Sequence, residues 1–270
     1  MFKYIGGNSV RSVLNSSKNI LKSNKIPIIN FAIEETNKKN IILNEHKKLI
    51  NSIDHNYKIA IKLSSFDFDQ NVLNELIKDS IERKIQIIID AEKNGDNEKY
   101  QNISNNLIIN FNKEFPNVVK TYQMYRKDSF DNLNNDLILC DKNNVYLGTK
   151  LVRGAYWNSE NKDGHLYTEK YETDLNFDKG IMLLSENYNK NYNILATHNK
   201  QSINFANNIN NYNNKQIFSY AHLLGMGKNN YNFEKYKDIH VYIPYGPYKE
   251  MLPYLIRRLY ENMDTIKYMF

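Results

Sequence analysis

The chain reads as an α/β protein and, within that class, as a (β/α)8 barrel. Three observations carry the reading. Short β-prone runs alternate with longer polar–apolar helical segments along the whole chain. Eight such runs recur every ~25–45 residues, each followed by room for a helix. Several are continuously apolar, as parallel strands covered on both faces must be. In order the expected strands are 26–33 (IPIINFAI), 58–63 (KIAIKL), 85–90 (IQIIID), 117–123 (NVVKTYQ), 145–152 (VYLGTKLV), 193–197 (NILAT), 216–220 (QIFSY) and 239–243 (IHVYI). Amphipathic stretches such as 71–84 and 175–190 lie between them, and the Asn-rich patches at 102–112 and 204–215 fall in helix or loop positions. A doubly wound open sheet is the rival, but no G-x-G-x-x-G follows the first strand, which argues against a dinucleotide-binding Rossmann domain. No linker divides the chain, so residues 1–270 are expected to form a single domain.

Bulk properties bound the function. The 270 residues are 41% hydrophobic and 13% aromatic, enough for a sizeable core. The formal charge is +6. Its lysines are scattered, and no helix-turn-helix, zinc-finger or RNP pattern accompanies them, so nucleic acid is not an expected partner. A basic surface tolerant of anionic ligands is expected instead. Cys140 is the one cysteine, which excludes an internal disulfide and a cysteine-built metal site and suits a reducing compartment. No apolar run approaches the ~18 residues of a membrane span, and no secretory signal is present, so the chain is not expected to be secreted. Residues 1–25 are basic and rich in Ser and Asn. They read either as a mitochondrial-type presequence or as a folded helical segment with Val10, Val13, Leu14, Ile20 and Leu21 on its apolar face.

The chemistry-bearing residues fall at the ends of the expected strands, where a barrel builds its active site. Lys62 lies near the end of the second strand, Asp90 ends the third and Gln123 the fourth. Lys150 and Arg153 flank the end of the fifth, followed by Gly154-Ala155-Tyr156-Trp157. Thr197-His198-Asn199 ends the sixth, His222 follows the seventh and Tyr242 ends the eighth. Singly, Lys62 and Asp90 could be a structural ion pair, His198 a core histidine and Trp157 plain core. No second His or carboxylate has ligand spacing from His198, so no metal is expected. One polar group at each mouth position is harder to attribute to packing. Near the C-terminus, Tyr254 lies three and four residues before Arg257 and Arg258, and Glu261 lies four and three after them. Those offsets gather the side chains on one helix surface. Paired guanidinium forks can clamp a carboxylate, although an Arg-Arg-x-x-Glu run is more often a solvated salt-bridge face.

The motifs resemble those of the proline dehydrogenase family, in its eukaryotic-type monofunctional branch. The likeness runs in order through IKLSS at 61–65, DAE at 90–92, KLVRGAYW at 150–157, ATHN at 196–199, LLGM at 223–226 and YIPYGPYKEMLPYLIRRLYEN at 242–262. The resemblance implies a distorted (β/α)8 barrel with its last helix over the mouth. It also implies FAD-dependent oxidation of L-proline to Δ1-pyrroline-5-carboxylate, mitochondrial location, and a quinone acceptor reached at a membrane surface. It assigns the substrate carboxylate to Arg257 and Arg258 and the ring wall to Tyr156, Tyr242, Tyr254 and Leu151. The polar pair beside the substrate would be Lys62 and Asp90. FAD would meet Gln123, Lys150, Val152, Arg153, Gly154, Ala155, Tyr156 and Trp157, with Thr197, His198 and Asn199 at its diphosphate and adenosine end and Glu261 at the ribityl chain or the arginines. His222 stands where the family usually has Gln, which would alter a flavin contact. Tyr242 favours proline over hydroxyproline. The competing readings are oxidation of hydroxyproline or another cyclic imino acid, a Schiff-base lyase using Lys62 or Lys150, and a non-catalytic proline-binding barrel.

Overall fold

The computed structural model describes residues 4–33, 38–93, 97–156, 160, 164–226, 233, 236–251 and 256. Eight parallel strands close into a barrel in chain order: β1 (Ile26–Phe31), β2 (Lys58–Ile61), β3 (Gln86–Ile89), β4 (Val118–Gln123), β5 (Leu147–Val152), β6 (Asn191–Ala196), β7 (Phe218–Leu223) and β8 (Ile239–Tyr245). The described helices are α1 (Val10–Lys22), α2 (Lys39–Ser52), α3 (Gln70–Glu82), α4 (Asn97–Phe111), α5 (Ser129–Asn143), α6 (Lys170–Glu186) and α7 (Lys200–Tyr212). The barrel expected from the apolar runs is therefore present. The chain groups into two compact units, residues 1–85 with 221–270, and residues 86–220.

In the first unit, β1 lies between β2 and β8, with Ile28 opposite both Lys58 and Tyr242. Helix α1 starts at Ser9, whose hydroxyl accepts from Ser12 N while Ser12 Oγ accepts from Ser9 N, a reciprocal cap that satisfies two otherwise orphaned donors. Its buried face is Val10, Val13 and Ile20, and the segment before it is fastened to β8 by Gly6 N donating to Pro244 O at 2.8 Å. Residues 10–22 form a helix.

Strand ends shift from the sequence expectation for local reasons. β2 stops at Ile61 because Lys62 opens a 3-10 turn over Leu63–Phe66, closed by Asp67 and Phe68 at positive φ. β8 passes Pro244 to reach Tyr245, so Tyr242 sits inside the strand rather than at its end. β7 begins at Phe218 because the N–H groups of Ile217 and Phe218 donate to Asn210 Oδ1 of α7 at 2.9 and 3.0 Å. It then runs to Leu223, which places His222 within the strand and not after it.

A single histidine sets the chemistry of the α2 side of this unit. His46 is buried between the rings of Phe31 and Phe66, at 6.1 and 5.4 Å between centroids, and its Nδ1 lies 2.8 Å from Ile42 O. Burial lowers its pKa from 6.5 to about 4, against hydrogen bonds to the Ile42 and Ala60 backbone that raise it.

In the second unit, β3 to β6 pair in parallel register, with Thr121 opposite Lys150 and Lys150 opposite Ile194. Between β4 and helices α4 and α5 lies a fully buried charge. Lys120 is 0% exposed; its ammonium donates to Asp136 Oδ2 at 2.5 Å, to Asn105 Oδ1 at 2.6 Å and to Gln101. Tyr122 donates to the same Asp136 oxygen at 2.6 Å and Asn105 Nδ2 donates to the other at 2.8 Å. Burial lowers the Lys120 pKa and Asp136 pulls it back up. Cys140 abuts this pair; burial, reinforced by the Asp136 charge, pushes its thiol up to about 12. Above the network Tyr100 reaches from α4 into the sheet. Its hydroxyl donates to Thr121 O at 2.7 Å and accepts from Thr121 N at 3.1 Å, supplying bonds that a neighbouring strand would otherwise make.

Two stability predictions follow from these buried groups. Between pH 6.5 and about 4 the unfolded chain protonates His46 while the native one does not, so His46 stabilises the fold fully only above that window. Stability should fall by about 3 kcal/mol as pH drops through it, and His46→Leu should flatten that part of a urea-denaturation pH profile. Removing one partner of the other buried group, with Asp136→Ala, leaves the Lys120 charge uncompensated and should cost about 3–5 kcal/mol in the same assay. The double substitution Lys120→Met/Asp136→Leu should recover most of that loss.

Candidate active site

The ends of β3 to β6 bring a set of polar side chains together within the second unit. Strand alternation turns Lys150 to the barrel interior, and its ammonium pairs with Asp90, the residue after β3 and two strands away. The two side chains are 6% and 14% exposed, so the pair is largely shielded yet open on one side. Gln123, at the end of β4, spans two loops. Its Nε2 donates to Glu92 O at 3.1 Å and its Oε1 accepts from Ala155 N at 3.1 Å. Tyr156 adds a longer contact, its hydroxyl donating to Ala91 O at 3.4 Å. The segments following β3 and β5 are thus fastened to each other over the end of β4.

The loop after β5 is shaped by a glycine. Val152 O and Arg153 O accept from Met124 N and Tyr125 N at 2.8 and 2.7 Å, which prolongs the β4–β5 pairing past the strand. The chain then turns at Gly154, where φ is +151° and a Cβ would lie 2.5 Å from the Tyr125 ring. Tyr125 is itself fixed by donating to the buried Glu160 carboxylate, and burial followed by that bond raises its pKa.

Arg153 joins this loop to the two helices beyond it. Its Nε donates to Asp174 Oδ1 of α6 at 2.7 Å and its Nη2 to Ser202 Oγ of α7 at 3.1 Å, while Nη1 bonds Thr197. The guanidinium lies 4.4 Å from the centre of the Phe177 ring. Asn199 caps α7, its Oδ1 accepting from Gln201 N and Ser202 N at 2.9 and 3.3 Å, and its Nδ2 donates to the same Asp174 oxygen at 3.2 Å. Burial pushes the Asp174 carboxyl up, but hydrogen bonds from Lys170 and Arg153 outweigh it and hold the pKa below the usual value. The result is a polar rim of paired charges whose side chains are positioned by one another.

The sequence-derived residues Asp90, Gln123, Lys150, Arg153, Gly154, Ala155, Tyr156, Thr197 and Asn199 thus fall in one connected set, with Val152 and His198 half-buried beside it. Leu151 is placed differently. It is 0% exposed and faces the helix layer, where a Cβ on Gly180 of α6 would stand 3.2 Å from its Cδ1. Packing against α6 is its role, and it does not wall a substrate. Asp90, assigned from sequence to Lys62, has Lys150 as an ion-pair partner. In the first unit Lys62 is half-buried where the 3-10 turn begins, and Tyr242 is half-buried with its carbonyl accepting from Leu224 N at 2.9 Å. The His222 ring lies against Phe233, 4.9 Å between centroids, with Nδ1 3.0 Å from Leu223 O. Burial lowers its pKa, the Leu223 hydrogen bond opposing and Lys25 adding to the shift. Trp157, Tyr254, Arg257, Arg258 and Glu261 lie outside the described residues. Sequence reading assigned no role to Asp174 and Glu160, which no local motif marks, nor to Glu92, which lies inside the DAE motif and serves through its backbone carbonyl.

Polar groups gathered at the C-terminal ends of parallel barrel strands define the general class: a barrel carrying a ligand site at its mouth. Comparison with known proteins narrows it. A family model described as proline dehydrogenase matches residues 21–269, and the chain belongs to the proline dehydrogenase family. It is 30% identical over 224 residues to proline dehydrogenase 1, mitochondrial, of Drosophila melanogaster, covering 72% of this chain and 32% of that protein. It is 29% identical over 220 residues to hydroxyproline dehydrogenase of Xenopus laevis, covering 72% of this chain and 46% of that one. The crystal structure of proline utilization A from Bdellovibrio bacteriovorus, inactivated by N-propargylglycine, shares the fold with a TM-score of 0.90 at 19% identity, over 97% of this chain and 32% of that one. The chain thus spans less than half the length of these relatives.

The glycine at the turn gives a direct check on the loop. Gly154→Ala combines an unfavourable φ with a collision against Tyr125, and should lower stability by about 1–3 kcal/mol, read as a drop in melting temperature. An unchanged melting temperature would mean that the loop does not need this conformation.

Proposed function

We propose that this chain is the catalytic barrel of an FAD-dependent proline dehydrogenase, oxidising L-proline to Δ1-pyrroline-5-carboxylate, and that residues 1–270 act as one domain. The observation that carries the reading is the Lys150–Asp90 pair at the strand ends, inside the KLVRGAYW and DAE motifs of a chain that matches the family model. The donor set fits a flavin dinucleotide: Lys150 and Arg153 supply positive charge for its electron-rich ring edge and diphosphate. Gln123 retains a second Nε2 proton beyond its bond to Glu92, and Gly154 lets backbone approach closely. When bound, FAD supplies the acceptor for the hydride that leaves the ring carbon beside nitrogen.

The protein's own part is binding, orientation and electrostatics. Lys150, held by Asp90, places a fixed cation beside the substrate and disfavours a protonated amine, which must be neutral to release hydride. Arg257 and Arg258 hold the carboxylate, and Tyr156, Tyr242 and Tyr254 orient the ring so that the reacting carbon sits at near-attack distance. Lys62 adds a further positive charge. Arg153, locked by Asp174, Thr197 and Ser202, keeps the loop that carries Tyr156 in place. A mitochondrial location accords with the names of the relatives, and a membrane quinone is the proposed acceptor. No helix among the described residues is long and apolar enough to cross a membrane.

A second reading, oxidation of hydroxyproline, draws on the similarity to the Xenopus laevis protein of that name. Tyr242 weighs for proline, since its bulk would meet a ring hydroxyl.

The purified protein should be yellow and bleach when L-proline is added without oxygen. Arg257→Ala should lower kcat/KM for proline by at least ~30-fold, about 2 kcal/mol of binding made in the transition state. A change under threefold would remove the carboxylate clamp from the proposal. Equal bleaching rates with trans-4-hydroxyproline would favour the second reading.

A further inference from the structure

The Lys150–Asp90 pair crosses a strand. Lys150 belongs to β5 and Asp90 follows β3, so the bond between them passes over β4. Thr121 is the β4 residue opposite Lys150, and the β3–β4 register, which sets Ile89 against Lys120, brings Asp90 to the same level. Lys120 and Tyr122, on either side of Thr121, point outward to Asp136 of α5. Strand alternation therefore turns Thr121 to the barrel interior, the side on which Lys150 lies. A carboxylate, a hydroxyl and an ammonium thus share one rung on three successive strands.

The hydroxyl of this trio has nothing to bond. Thr121 is 3% exposed, and its Oγ1 is fully buried with no hydrogen-bond partner among the described residues. Its backbone N–H and C=O are both engaged by the Tyr100 hydroxyl. A threonine hydroxyl carries one donor and two acceptor positions, and leaving them unused in the interior costs stability. The strand does not require that cost, since valine has the same shape and suits a buried strand equally well. An orphaned hydroxyl beside an ion pair at a ligand site is explained by a bond that forms when the site is filled.

The carboxylate of the pair is the natural acceptor. Neighbouring strands lie about 4.8 Å apart, within reach of a hydroxyl and a carboxylate on one rung. In this structure Asp90 matches the Lys150 charge, whereas the proposed cofactor site needs Lys150 to offer charge to an electron-rich flavin ring. A further donor on Asp90 spreads its negative charge over one more bond and loosens its hold on the ammonium without breaking it. We propose, resting on the flavin reading, that Thr121 is a positioning residue for Lys150. When FAD binds, the Thr121 hydroxyl donates to the Asp90 carboxylate and leaves more of the Lys150 charge to the flavin.

Two variants of the full chain test this: Thr121→Val removes the hydroxyl at constant shape, and Thr121→Ser keeps it. Without FAD, Thr121→Val should melt about 2 °C above the parent, because a hydroxyl lacking a partner has given way to a methyl. Fluorescence titration should nevertheless show its FAD binding weakened at least ~tenfold. The two-electron midpoint potential of its bound flavin should fall by about 30 mV, the equivalent of tenfold. Thr121→Ser should bind FAD within ~threefold of the parent. A mere packing role would move melting and affinity in the same direction. A flavin-free Thr121→Val that melts lower would mean that the hydroxyl is already satisfied, by a buried water for instance, and would overturn the proposal. Equal FAD affinity in all three chains, or a Ser variant as weak as the Val one, would overturn it too. A parent that binds no FAD overturns the cofactor reading and this inference with it.

Discussion

The second unit is organised around the charge of Lys120. An ammonium with no exposed surface must find oxygen ligands, and it finds them on two helices at once: Gln101 and Asn105 from α4, Asp136 from α5. That requirement fixes how both helices lie against β4, since a poorly matched arrangement would strand a buried charge. The next residues of the same strand then feel the consequence. Thr121 takes its bonds from Tyr100 of the positioned α4, and Gln123 emerges at the strand end aligned to bridge Glu92 and Ala155. The chemistry at the rim thus rests on an electrostatic arrangement three residues back along the same strand.

The rim itself is built by mutual restraint. Lys150 and Asp90 hold each other, and Arg153 is held from three directions by Thr197 just after β6 and by groups on α6 and α7. Side chains restrained in this way lose little further freedom when a ligand arrives, which is the physical content of preorganisation. Each rim cation is matched by a carboxylate, Lys150 by Asp90 and Arg153 by Asp174.

The fold was legible because buried parallel strands must be apolar on both faces, and runs such as IQIIID and KIAIKL declare this locally. Rim residues were legible where they close or directly follow such a run, as Asp90, Gln123 and Thr197 do, while Lys150 lies inside β5. What escaped were relations rather than positions. Nothing in sequence says that Asp90 takes Lys150 as an ion-pair partner, since both lysines follow apolar stretches. Leu151 was misplaced because a one-residue step reverses the face of a strand, and the motif alone does not fix which face is inward. The boundary of β7 was decided by Asn210, a helix residue whose side-chain amide oxygen accepts from two backbone donors before the ladder starts.

Cys140 turns the buried network into something experimentally convenient. A thiol shifted to about 12 holds almost no thiolate near neutrality, and it is shielded from solvent as well. Alkylating reagents can react at an appreciable rate only after α5 has parted from β4. Because no other cysteine exists in the chain, the speed of that labelling is a direct gauge of how often this half of the molecule breathes open.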